Sequence, residues 1–288
     1  MCRWLAYYGS PILLDELLYK PEHSLIDQSK HARMGVETLN GDGVGIGWYP
    51  ELLRGTDREE VTPALFRSIG PAWGETNLRE LADHVRSPLF FAHIRASTGT
   101  AVQQTNCHPF RHGRWLWMHN GAISHLSQLK RDLLLAVEPA LLPEIQGSTD
   151  SELMFYLALT FGLEEDPRAA VARMICHVEE TAAKHGVENP LQMTVATSDG
   201  ERVWAFRYST ERHSRSLFFS SAPETLARMY PEIPMFANLS PETRVVVSEP
   251  LGGLAGAWNE VPEWSCGVIQ PGQDELLPLG PFLDAARR

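Results

Sequence analysis

Leu191-Gln-Met-Thr-Val-Ala196, Arg202-Val-Trp-Ala-Phe-Arg-Tyr208 and Ser216-Leu-Phe-Phe-Ser220 follow one another with only short polar links between them. Each run is short, rich in aromatic and apolar residues, and bounded by polar or turn residues, so each predicts a strand. Strands that neighbour one another without an intervening helix do not fit a doubly wound parallel sheet. They predict an α+β layered fold. Arg244–Val247 reads as a further strand, and the Pro- and Gly-rich stretch after Pro250 predicts loop-rich edging.

Further toward the N-terminus the pattern turns helical. Asp166 is placed to cap a helix with Pro167 at its first position, running through Val171, Met174, Ile175 and Val178 and stopping at Gly186. Leu78, Leu81, Ala82 and Val85 recur at helical spacing as well. Trp115–His119, Leu89–Ile94, Gly43–Tyr49 and Arg3–Tyr8 read as strands. The pattern changes near Asn189, but no repeat, low-complexity tract or linker divides the chain, and one domain over residues 2–288 is expected.

Composition narrows the function. The formal net charge is -11, from 25 basic and 36 acidic residues. That argues against a nucleic-acid or membrane-surface binder, which needs a basic face. No run of about 18 apolar residues predicts a membrane span, and the first residues lack the apolar core of a secretory signal, so a cytoplasmic protein is expected. Cys2, Cys107, Cys176 and Cys266 are widely spaced and form no C-x-x-C pair, unlike a disulfide framework or a four-cysteine zinc site.

Cys2 stands apart by position. A residue this small after Met1 invites removal of the methionine, which leaves a thiol beside a free α-amine. An α-amine has a pKa of roughly 7.7–8.0 and can act as a base near neutral pH, as in N-terminal threonine enzymes. The alternative is a chance cysteine in a buried strand.

Three further segments bear on that choice. In Phe91-Ala-His-Ile-Arg-Ala-Ser-Thr98, Arg95 ends a strand and is followed by hydroxyls at Ser97 and Thr98; its rigid fork suits a carboxylate, though a lone arginine is more often a structural ion pair. In Met118-His-Asn-Gly-Ala122, Asn120 and Gly121 are either a turn or an oxyanion hole built from a side-chain amide and a backbone N–H. In Gly147-Ser-Thr-Asp-Ser-Glu152, Thr149 and Glu152 fit a capping box, which puts Asp150 in a first helical turn, suited to holding an ammonium group.

Taken together, Met1-Cys2, Asn40-Gly-Asp-Gly43, His93-x-Arg95 with Ser97-Thr98, His119-Asn-Gly121 and Thr149-Asp-Ser-Glu152 resemble the class II glutamine amidotransferases, a branch of the N-terminal-nucleophile hydrolases. The motifs occur in the family's order over roughly the first 160 residues. Asn40-Gly-Asp-Gly43, Arg95-Ala-Ser-Thr98, Thr105-Asn-Cys-His-Pro-Phe110 and Gln146-Gly-Ser-Thr-Asp-Ser-Glu152 are most similar to single-domain members: the fungal subunit that degrades glutathione with a peptidase partner and, in the N-terminal segment, the bacterial ergothioneine-pathway γ-glutamyl hydrolase.

The resemblance implies a four-layer αββα sandwich and hydrolysis of a γ-glutamyl amide, from glutamine or a compound such as glutathione, with no metal and no cofactor. It implies Cys2 as nucleophile forming a γ-glutamyl thioester, Asn120 and Gly121 as oxyanion hole, Arg95 and Thr98 on the substrate α-carboxylate, Asp150 on its α-ammonium, and Gly41 lining the site. Ala96 and Gly99 stand where large family members often carry bulky residues, which suits leaving groups larger than ammonia. A peptidase or synthase partner and a homo-oligomer remain open. The alternatives are a glutaminase subunit supplying ammonia to a separate synthase, and a non-catalytic scaffold of the same fold. Cys107, His108, His112 and His119 fit no zinc template, and Gly41-x-Gly43-x-Gly45-x-Gly47 lacks dinucleotide-loop spacing, so tight packing around the nucleophile is expected there.

Overall fold

The aromatic first strand lies in the middle of a sheet. The computed structural model describes residues 2–34, 38–51, 61–97, 99–229, 231, 234–272 and 274–288. In it β1 (Arg3–Leu13) pairs on one side with β4 (Arg86–Ile94) and on the other with β10 (Arg244–Val247). Four more strands extend this sheet: β2 (Val44–Tyr49) and β3 (Ala64–Ser68) beyond β4, and β9 (Phe218–Ser220) and β11 (Trp258–Glu260) beyond β10. A second, six-stranded sheet has the order β13 (Glu275–Pro278), β12 (Ser265–Ile269), β8 (Val203–Ser209), β7 (Leu191–Ser198), β6 (Trp115–Ile123), β5 (Phe110–His112). Each described pairing is antiparallel.

Strand alternation assigns the layers, because successive side chains point to opposite faces. Trp4 and Ala6 of β1 and Phe91 of β4 pack against Leu116, Met118, Ala196 and Ala205 of the second sheet. Leu5, Tyr7, Phe90 and Ala92 point the other way, onto α1 (Asp15–Leu18), α2 (Leu25–His31) and α3 (Thr76–His84). The outer face of the second sheet, with Trp117, Val195 and Phe206, is covered by α4 (Leu126–Leu135), α5 (Asp150–Thr160), α6 (Pro167–Lys184) and α9 (Gly280–Ala286). The order is helices, sheet, sheet, helices: the four-layer αββα sandwich. Fully burying each large apolar side chain contributes about 1.5–3 kcal/mol, so the inter-sheet contact is strong enough to fix how β1 and β6 face each other.

Helix α6 forms as its sequence predicts. The Asp166 side chain accepts from Arg168 N and Ala169 N, Pro167 occupies the first position, and Val187 N donates to Ala182 O where Gly186 takes φ +68°. The C-terminal stretch departs from expectation. It supplies β11, β12, β13 and α9, with β12 lying between β8 and β13. No helix among the described residues is long and apolar enough to cross a membrane.

Candidate active site

Cys2 sits immediately before β1, where the strand meets the end of β4. Arg3 pairs with Ile94, so the chain leaving β4 passes beside Cys2. The Ala96 N–H donates to Cys2 Sγ at 3.5 Å, and Sγ lies 3.6 Å from Ala96 O. Burial pushes the Cys2 thiol pKa up; the Ala96 hydrogen bond and the charges of Arg95 and Arg3 oppose this. A raised thiol pKa keeps Cys2 protonated, so forming its thiolate requires a base.

Asn120 reaches the same residue from the second sheet. It belongs to β6, faces the inter-sheet space, and its Nδ2 donates to Cys2 O at 3.0 Å. An amide nitrogen carries two hydrogens, so one remains for an oxyanion. Asn120 and Gly121 are strand residues in register with Thr194 and Met193 and do not form a turn. Gly121 has φ +152°, and a Cβ there would fall 1.9 Å from Gln192 O and 2.6 Å from His119 Nε2. Only glycine fits.

Asp150 opens α5 and is fastened to β6. Its Oδ2 accepts from Ile123 N and its Oδ1 from Ser151 N, both at 2.8 Å. The neighbouring Ser151 hydroxyl lies 2.7 Å from His119 Nδ1. The carboxylate is therefore tied to the strand that carries Asn120 and Gly121 and has lone pairs to spare. The predicted capping box forms only in half. Thr149 accepts from Glu152 N at 3.2 Å, but the Glu152 carboxylate turns to Gln146 N at 3.0 Å and Gly147 N at 2.6 Å. Those two N–H groups outcompete the helix cap.

Arg95 is 3% exposed. Its Nη1 donates to Asp42 O at 3.3 Å, and its Nη2 to Thr100 Oγ1 at 2.7 Å, Ala101 O at 3.0 Å and Ser97 Oγ at 3.2 Å. All of these acceptors are neutral, and no ion pair to Arg95 occurs among the described residues. The nearby Asp42 carboxylate is held by Ser97 N at 2.7 Å. A buried cation without an anion is costly, which is the signature of a charged group kept for a ligand. Thr98 lies outside the described residues. Gly41 is half-buried, and a Cβ on it would come within 3.0 Å of Trp73 Cη2. Trp73, 39% exposed, borders Gly41 and carried no motif that marked it beforehand.

The other glycines of that run explain the packing below the site. A Cβ on Gly43 would meet Cys107 Sγ at 2.6 Å, and one on Gly45 would meet His108 O at 2.0 Å. His93 and His108 stack there with ring centroids 4.1 Å apart. Burial drives His93 down to about 3 and His108 well below its ordinary value, so both rings are neutral. Of the side chains weighed for zinc, His112 pairs with Glu144, His119 with Ser151, and Cys107 with backbone oxygens. A cavity of about 670 Å³ beside Tyr7, Leu226 and Trp258 has neither Cys2, Arg95, Asn120 nor Asp150 in its wall.

The family of class-II glutamine amidotransferases matches residues 24–273. The chain belongs to the class-II glutamine amidotransferases. It is 36% identical over 311 residues to the probable glutamine amidotransferase DUG3 of Saccharomyces cerevisiae, covering 99% of this chain and 85% of that one. It is 26% identical over 230 residues to the gamma-glutamyl-hercynylcysteine sulfoxide hydrolase of Mycobacterium tuberculosis, covering 77% of this chain and 85% of that one. Among solved structures, a glutamine aminotransferase class-II domain protein from Silicibacter pomeroyi superposes with a TM-score of 0.70 at 30% identity, covering 96% of this chain and 98% of that one. The glutamine phosphoribosylpyrophosphate amidotransferase of B. subtilis shares the fold, with a TM-score of 0.59 at 16% identity; it covers 97% of this chain and 49% of its own.

In this amidotransferase Arg3 also reaches Cys2, with Glu249 behind it, and sequence reasoning missed both. Arg3 Nη1 donates to Cys2 O at 3.0 Å, and Arg3 Nε donates to Glu249 Oε2 at 2.8 Å.

Proposed function

We propose that this class-II amidotransferase hydrolyses γ-glutamyl amides, with Cys2 as nucleophile once Met1 has been removed. The observation that carries the reading is Arg95: buried, beside the thiol, and hydrogen-bonded only to neutral oxygens. A substrate α-carboxylate supplies the missing anion. Asp150, anchored to β6, receives the α-ammonium, and Gly41 lines the wall. A glutamyl group read at both ends in this way presents its γ-carbonyl to Cys2.

The α-amine of Cys2 takes the thiol proton as sulfur attacks the γ-carbonyl carbon. Asn120 Nδ2–H and Gly121 N–H hold the oxyanion, a contact that typically contributes about 3–4 kcal/mol per donor. The C–N bond breaks as the ammonium returns its proton to the leaving amine. Water, deprotonated by the same amine, then cleaves the thioester to glutamate and restores the thiol. The names of the relatives, a probable glutamine amidotransferase and a γ-glutamyl hydrolase, support this reaction class. The small Ala96 and Gly99 suit an amine larger than ammonia, which favours action on a γ-glutamyl compound in its own right; delivery of ammonia to a synthase is the second reading. Four free cysteines suit a reducing compartment, the cytoplasm.

Glutamate release is the test, with loss of Met1 first confirmed by mass spectrometry. Glutamine, glutathione and several γ-glutamyl amines are offered to the protein and to Cys2→Ala. The variant is expected to lose activity on the order of 10⁴-fold or more. Release mainly from bulky γ-glutamyl compounds supports the hydrolase, and release mainly from glutamine favours ammonia supply. No release from any of them by a chain with a free Cys2 terminus overturns both.

A further inference from the structure

Once Met1 is gone, Cys2 is covalently held on one side only. The directions of its amine and thiol then depend on the orientation of the Cys2–Arg3 peptide group. That group is gripped at its carbonyl oxygen from two sides, by Asn120 Nδ2 and by Arg3 Nη1, each at 3.0 Å. The two donors fill the two lone pairs of the oxygen.

A long side chain fixes nothing unless it is itself fixed, and Arg3 is. Its Nε donates to Glu249 Oε2 at 2.8 Å, and its Nη2 donates to Met34 O. Glu249 is held in turn by Arg33 N at 2.8 Å, Met34 N at 3.1 Å and His23 Nε2 at 2.6 Å. The opposite nitrogen of His23 meets Asp27 Oδ2 at 2.9 Å. Arg3, His23 and Glu249 are each 2–3% exposed. The backbone under Glu249 is tied to β1, with Ser248 N donating to Trp4 O at 3.1 Å and Trp4 N to Ser248 Oγ at 3.0 Å.

We infer that Arg3, clamped by Glu249 and His23, is a positioning residue that sets the orientation of the Cys2 amine and thiol for attack, so that the C-terminal part of the chain completes the active site. The inference rests on the reading of Cys2 as nucleophile. It differs from a merely structural ion pair in one respect. A structural pair controls whether the protein folds, whereas a positioning pair controls how fast folded protein reacts.

The test compares Arg3→Lys and Glu249→Gln with the unaltered protein, all after Met1 removal. Lysine keeps the charge but has no fork, so it reaches either Glu249 or the Cys2 carbonyl, not both. Glutamine keeps the shape of Glu249 and one acceptor oxygen. We measure kcat and KM for the best γ-glutamyl substrate, thermal stability, and the pH dependence of Cys2 alkylation by iodoacetamide, located by mass spectrometry. For Arg3→Lys, kcat is expected to fall about 10- to 100-fold, the scale of a small misplacement of reacting groups. KM stays within about twofold because Arg95 and Asp150 are untouched, and the alkylation profile shifts. Glu249→Gln moves each quantity the same way by less. Rates and alkylation profiles equal to those of the unaltered protein, with only the thermal midpoint lowered, overturn the inference. If Arg3→Lys fails to fold, Glu249→Gln decides by the same criteria. If the unaltered protein releases no glutamate, the catalytic reading falls, while an unchanged alkylation profile in the variants would still separately reject the positioning role.

Discussion

Arg3 and Arg95 are equally buried, at 3% exposure each, and both are close enough to Cys2 to bias its thiol. Their surroundings are opposite. Arg3 faces a carboxylate that is itself wrapped in donors. Arg95 faces three hydroxyl or carbonyl oxygens on one nitrogen and a single carbonyl on another. Burying a charge without a partner costs several kcal/mol, and folding has met that cost at Arg3 and left it standing at Arg95. One arginine is paired within the fold and grips the Cys2 carbonyl, and the other waits for substrate.

The largest expected effect comes from deleting each in turn. Arg3→Met takes the arginine from the buried Glu249 carboxylate and leaves it only His23 and two backbone N–H groups, and about 3–5 kcal/mol of unfolding free energy should be lost in urea titrations. Arg95→Gln strands nothing charged, so stability should change by less than about 1 kcal/mol, while kcat/KM falls about 100-fold or more through loss of a charged contact to substrate. The contrast breaks if Arg95→Gln unfolds as readily as Arg3→Met, because Arg95 would then be a structural cation with a partner not yet recognised.

The same contrast marks what the sequence could reveal. Cys2, Arg95, Asn120, Gly121 and Asp150 each lie in a short motif, and Arg3–Tyr8 and Trp115–His119 were legible as strands. The Arg3–Glu249 pair joins residues 246 positions apart, and no local pattern links them. The half-formed capping box has the same origin. Thr149-x-x-Glu152 satisfies the local rule, yet Gln146 N and Gly147 N draw the carboxylate away. Strand β12 was hidden because Ser265-Cys-Gly-Val-Ile269 is five residues long in a Pro- and Gly-rich region. Its place beside β8 is a tertiary choice. Trp73 was passed over because its approach to Gly41, more than thirty residues away in sequence, cannot be read from composition.

Acid should separate the two neighbourhoods next. On the Arg95 side, His93 is held neutral down to about pH 3 by burial, against an ordinary 6.5. The unfolded chain binds that proton first, so stability falls as pH drops below 6.5, by about 1.4 kcal/mol per pH unit for one such histidine at full slope. On the Arg3 side, burial alone would raise the Glu249 carboxyl, but the hydrogen bonds from His23, Arg33 N and Met34 N and the Arg3 charge bring it below its ordinary 4.5. Its stabilisation is present above 4.5 and is lost as pH falls through the lowered value. Urea midpoints should therefore begin to fall near pH 6.5, with a further loss below 4.5. His93→Gln should make the upper limb shallower, the buried His108 supplying part of the remaining slope, and Glu249→Gln should flatten the lower. A single transition removed by either variant would mean that the two sides titrate as one unit.

The smallest effect is the most direct reading of the unpaired charge. L-Glutamate, the expected product, offers Arg95 its α-carboxylate and Asp150 its α-ammonium. At ten times its dissociation constant it should stabilise the protein by about 1.4 kcal/mol, seen as a rise of a few degrees in the thermal midpoint. Arg95→Gln should abolish the rise, because the ligand then meets no buried cation. Arg3→Lys should keep it, because the clamp on Cys2 does not touch the glutamyl α-carbon. Glutarate, which lacks the ammonium, should act more weakly on the unaltered protein and equally with glutamate on Asp150→Asn. A shift that survives Arg95→Gln would place the carboxylate elsewhere and leave the buried guanidinium without a ligand, which its neutral surroundings do not otherwise explain.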